Sequence, residues 1–167
     1  MKHVASTETK KLDRSPPISL FLSGKSFLMS AQHLRGALEK QELKLNFSMP
    51  IYYLYSHALE LTLKSFLRCK GFSARKLRSG DFGHKLQALW DACIENGLDG
   101  HRVNKAFIAQ MVELLDPYAV DLEFRYVKTG AKVLPALDAV ESAVSDLMAI
   151  VRPHCEATVV TPTPDRD

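Results

Sequence analysis

The sequence predicts an all-α bundle of four or five helices joined by short connections. Three observations lead there. Apolar residues recur at steps of three, four and seven along most of the chain, the period of one helix face. Proline and glycine fall at the ends of these periodic stretches, where helices start and stop. The one alternating stretch, around Leu122 to Tyr126, has no second strand to pair with. Internal repeats and coiled-coil heptad runs are absent.

Residues 1–17 (MKHVASTETKKLDRSPP) lack periodicity and end on Pro16-Pro17, the pattern of a flexible leader. The first helix is expected from about Ile18 to Lys40, with Leu20, Phe27, Ala31, Leu34 and Leu38 facing inward. Leu43 to Met49 connects it to a second helix over residues 50–71, with Pro50 in its first turn and Gly71 as its left-handed stop. That helix is apolar nearly all round, which marks it as the centre of the bundle. Phe72 to Gly83 reads as a basic loop carrying Arg75, Lys76 and Arg78. The third helix is expected to start near Asp81 or Phe82 and stop at Gly97, with Leu86, Leu89, Trp90 and Cys93 inward. A fourth runs from about Gly100 to Leu115 with Val103, Phe107, Met111 and Leu114 inward, closed by Pro117. After an irregular piece from Tyr118 to Pro135 comes a fifth helix, Pro135 to Arg152, ended by Pro153. Its inward face carries Leu137, Val140, Val144, Leu147 and Val151, and residues 153–167 read as a disordered tail.

Composition narrows the function classes. The chain has 167 residues, enough for one domain (here 18–152) with its own core. Twenty-two basic against 19 acidic residues leave only +3, so any nucleic-acid contact depends on a local patch such as Arg75, Lys76 and Arg78. Cys69, Cys93 and Cys155 are odd in number, widely spaced and without a CxxC pair, unlike a disulfide framework or zinc knuckle. They suit a reducing compartment. Met1 to Pro17 has no apolar signal core, and His57, Glu60, Lys64 and Arg68 interrupt the long apolar helix. The expectation is a cytoplasmic protein without a membrane partner. No P-loop, GxGxxG, HExxH or GxSxG motif occurs, and neither cofactor nor metal is expected.

One stripe of the central helix demands an explanation. His57, Glu60 and Lys64 stack along one side at about 100° per residue. On a buried helix such charges need partners. His84 and Arg125, which also interrupt apolar surroundings, are the expected ones, with Tyr126 closing the group through its hydroxyl. The cluster reads either as a pin for the 118–135 segment or as a phosphate or nucleotide pocket with Lys64 and Arg125 as cationic walls. His57 reads as a satisfied core histidine. Trp90 and the tyrosines at 52, 53 and 55 read as core ahead of base-stacking groups.

The order of motifs resembles bacterial HEPN-like proteins, a helical family named for higher eukaryotes and prokaryotes nucleotide-binding. The residues concerned are Ala58-Leu59-Glu60-Leu61-Thr62-Leu63-Lys64 with Gly71, then Gly83-His84-Lys85-Leu86 with Leu89 and Gly97, then Phe124-Arg125-Tyr126. The resemblance spans residues 18 to 152. It implies an antiparallel, often dimeric bundle used in toxin–antitoxin, phage-defence or RNA-processing systems, with RNA or a nucleotide as ligand. It also implies an antitoxin or nucleotidyltransferase partner. Many members are metal-independent ribonucleases with an Arg and a His a few residues later, which here would be Arg78 and His84. Ser79 follows the Arg where those nucleases commonly carry Asn, Asp or His, and the motif precedes the third helix instead of lying later in the bundle. The chemistry is coherent: a histidine can move the 2′-hydroxyl proton near neutrality, and a guanidinium can hold the charged phosphate. His84 at a helix start can equally be structural. The other reading is a non-catalytic dimeric interaction or scaffold module.

Overall fold

A computed structural model describes residues 15–99, 104–124, 126 and 130–160. It is all-α, with six helices and no strand among the described residues: α1 Pro17–Glu39, α2 Met49–Cys69, α3 Ala74–Arg78, α4 Leu86–Glu95, α5 Lys105–Val120 and α6 Leu137–Val160. α1, α2 and α6 pack on one another, while α4 covers α2 and α5 bridges α4 and α6.

α2 sits where its composition places it. Ile51, Tyr55, Leu59, Leu63, Phe66 and Leu67 are buried on faces that between them meet three other helices. Its end is a Schellman motif: Phe72 N–H donates to Leu67 O (3.1 Å) and Gly71 N–H to Arg68 O (3.0 Å). Gly71 takes φ 89°, which glycine adopts without a Cβ penalty.

α1 approaches α2 closely at Gly24. A Cβ there would stand 3.2 Å from Ala58 O, 3.2 Å from Thr62 Oγ1 and 3.3 Å from Met148 Cε. Gly24→Val is therefore expected to destabilise by about 1–3 kcal/mol. The same change at Gly36, where nothing lies within 4 Å, should show no such clash in a urea titration. The deepest residues of α1 are Phe21, Gly24, Leu28 and Ala31, so the buried stripe is turned by one position from the expected one. Leu20, Phe27, Leu34 and Leu38 are its half-buried flanks.

Several boundaries differ from expectation, each for a local reason. The basic stretch 72–83 contains a helix, α3, because Ser73 caps it by accepting the Lys76 N–H (3.2 Å) and Ala74 and Leu77 face inward. α4 starts at Leu86, later than expected, where Asp116 of α5 accepts the Gln87 N–H (3.0 Å). α5 begins at Lys105 with Asn104 accepting the Phe107 N–H (3.1 Å), and its buried face is Ile108, Met111, Val112, Leu115 and Ala119. Phe107 and Leu114 are half-buried; Val103 lies outside the described residues.

Pro117 and Pro153 end neither helix. α5 runs on to Val120 and α6 to Val160, because Ala119 and Cys155 beyond the prolines stay buried. Packing outweighs one missing helix bond at each site. Helical structure thus extends into the expected tail, of which 161–167 lies outside the described residues. So does the leader up to residue 14.

The piece between α5 and α6 is held by aromatic groups. Phe124 packs on Tyr52 (ring centroids 6.3 Å) and Tyr118 (5.6 Å), and Tyr52 Oη donates to Pro135 O (2.5 Å). Tyr118 Oη accepts the Val133 N–H at 2.9 Å. No helix among the described residues is long and apolar enough to cross a membrane.

Candidate functional site

The polar stripe of α2 meets the turn before α4. Glu60 is 6% exposed, and its two oxygens are shared out. Oε1 accepts from Lys64 Nζ at 2.7 Å and Oε2 from His84 Nδ1 at 3.0 Å. His84 gets there because the chain between α3 and α4 folds into successive turns, closed by Phe82 N–H to Ser79 O (3.2 Å) and Lys85 N–H to Phe82 O (2.7 Å). The expected meeting of Glu60, Lys64 and His84 is present.

His57 lies 3.8 Å from Glu60 Oε2, beyond hydrogen-bond range. Its half-buried ring is held edge-on by Phe27 (4.4 Å) and stacked on Tyr53 (5.8 Å). Burial pushes the Glu60 carboxyl up, but His57, Lys64 and His84 together outweigh it and hold the group at about 2. Glu60 is therefore a carboxylate at neutral pH and can only accept. The Nδ1 of His84 must then carry the proton, which leaves Nε2 as the variable nitrogen.

Glu60, Lys64, Arg78 and His84 all line one cleft of about 380 Å³, completed by Ser15, Leu20, Leu61 and Leu77 among others. A hollow of about 20 Å³ lies on the other side of Glu60 and His84, walled by Tyr53, Tyr118 and Phe124. Arg78 is exposed at the end of α3 and has no ion-pair partner among the described residues. Arg75 and Lys76 are exposed as well, with Lys76 Nζ over the Phe72 ring at 4.7 Å. Tyr126 is 65% exposed and lines neither space, so its hydroxyl does not close the cluster. Arg125 lies outside the described residues. Trp90, Tyr52 and Tyr55 are buried in the core as expected.

Two groupings escaped the sequence. Glu141 of α6 binds Arg35 (2.7 Å) and Gln32 (3.1 Å) of α1 and Tyr55 of α2 (2.6 Å), tying three helices together. Cys69 and Cys155 touch, Sγ to Sγ 3.5 Å. Their partners lie 86 to 109 positions apart in the chain, so no local spacing announces either. No group of three or more metal-capable side chains occurs among the described residues. Compared with family models, with curated proteins and with solved structures, the chain finds no match.

Proposed function

We propose that the cleft beside α2 binds the phosphate backbone of RNA, or a nucleotide, and that Arg78 and His84 cleave RNA there without a metal. The observation that carries this is the Glu60–His84 bond at 3.0 Å, within a cleft that also has Lys64 and Arg78 on its wall. A buried carboxylate on Nδ1 sets the tautomer and orientation of the imidazole, as in other histidine-based sites. Nε2 then takes the 2′-hydroxyl proton as that oxygen attacks the phosphorus; the P–O5′ bond breaks, and the departing 5′-oxygen takes a proton from water, leaving a 2′,3′-cyclic phosphate. Arg78 balances the charge growing on the phosphate oxygens, and Lys64 adds a fixed positive charge. The bundle, in this reading, is HEPN-like and acts in a toxin–antitoxin, defence or RNA-processing system, as the motif order implied.

The test is incubation of labelled single-stranded RNA with wild type, His84→Ala and Arg78→Ala in the presence of chelator. Wild type is expected to leave 2′,3′-cyclic phosphate ends, with the rate cut by about 100-fold or more in His84→Ala. Binding should weaken steeply with salt and weaken further in Arg78→Ala. Binding without cleavage removes the nuclease half; neither activity at low salt removes the whole reading.

The non-catalytic dimeric module is the second reading, and one observation favours it. Leu22 and Met29, seven apart on the outer side of α1, are both more than half exposed. A dimer that Leu22→Glu dissociates in sedimentation, with no RNA activity in either form, selects that reading.

A further inference from the structure

We propose that Cys69 and Cys155 are a redox pair, forming a reversible disulfide between the end of α2 and α6 when the protein meets a two-electron oxidant such as hydrogen peroxide. The two sulfurs are 3.5 Å apart, with both side chains already directed at each other across the helix contact. Closing to a bond of about 2.05 Å asks for a small approach of two helix positions. Cys69 is partly exposed at the last residue of α2, so oxidant reaches the pair from that side. Cys155 is buried, with Ser65 Oγ 3.6 Å from its sulfur. Cys93 stands apart, its thiol directed to Leu63 O at 3.5 Å.

The surroundings favour a reactive pair over two inert thiols. The contact with Cys69, helped by Ser65, pulls Cys155 below the ordinary thiol range, while the contact with Cys155 and burial push Cys69 up. The negative charge of the pair thus rests on Cys155, with the proton held by Cys69. Peroxide entering past the partly exposed Cys69 meets the thiolate of Cys155. That sulfur attacks one peroxide oxygen and breaks the O–O bond; the departing hydroxide takes a proton from solvent and leaves as water. Cys69 then attacks the sulfenic sulfur of Cys155, forming the S–S bond, and its proton leaves with the displaced hydroxyl as a second water. Two thiols and one peroxide become one disulfide and two waters.

The bond would close residues 70–154, Arg78 and His84 included, into one covalent loop. It would also staple the last turns of α6, beyond Pro153, to the central helix. Treating the full chain with hydrogen peroxide is expected to lower its free thiols from three to one, with an intact mass short by two hydrogens. Proteolysis without reductant should yield a linked Cys69–Cys155 peptide, and the thermal midpoint should rise by roughly 5 °C or more, reversed by dithiothreitol. Cys93→Ser keeps the mass change and Cys69→Ser, at the partly exposed position, loses it. A folded wild type that retains three thiols, or that links only between chains or through Cys93, overturns the proposal.

Discussion

Glu60→Ala is expected to cost about 3–5 kcal/mol in a urea or thermal unfolding measurement. The substitution strands Lys64, whose side chain is only 11% exposed, inside the α2 surface without its carboxylate. It also releases His84, and with it the turn before α4. Removing one partner of a buried pair leaves the other desolvated and uncompensated, which is why the loss exceeds the net worth of the bridge. Replacing both partners, Glu60→Leu with Lys64→Met, should recover most of the loss, since no charge is then left buried. A double variant as unstable as the single would show that the bridge itself, and not the stranded charge, sets the cost.

The same residue predicts an acid limit. In the unfolded chain the carboxyl titrates near 4.5, and in the folded protein at about 2. A lowered folded value stabilises above the unfolded value and stops doing so as pH falls through the folded one. The contribution, about 3 kcal/mol, is thus complete above pH 4.5 and gone below about 2. Wild type should lose its advantage over Glu60→Ala across that window, and a constant difference down to pH 2 would contradict the assignment.

Phe66→Ala is the second large effect, expected at about 3–5 kcal/mol. The ring is fully buried in the middle of the bundle, edge-on to His154 of α6 at 5.0 Å and with Lys70 Nζ 5.0 Å above its face. Alanine would leave a cavity between α2 and α6 that neither helix can close, because both are held on other sides as well. Ile94→Ala, at an exposed position on α4, should change the urea midpoint little. Similar losses at the two sites would mean that α2 is not central.

The sequence of residues 50–71 alone marks them as the core helix, because apolar girth around a whole helix needs neighbours on every side. Gly71 announced its end, since φ 89° suits a residue without a Cβ. Glu60 and Lys64 could be named as a pair from their i,i+4 spacing, and His84 as a partner because a buried carboxylate requires donors. These inferences rest on local periodicity or on the cost of unpaired charge, both of which are written in the order of residues.

What the sequence could not settle depended on contacts between distant residues. The prolines at 117 and 153 read as stops, yet Ala119 and Cys155 are buried beyond them and keep both helices going. The start of α4 depended on Asp116 of α5, and the grip of Glu141 on three helices on residues as far as 109 positions away. Cys69 and Cys155 read as two of three scattered thiols until α2 and α6 brought them to 3.5 Å. Helical period and unpaired charge determined which elements exist and which residues need partners; only packing decided which distant partners they found.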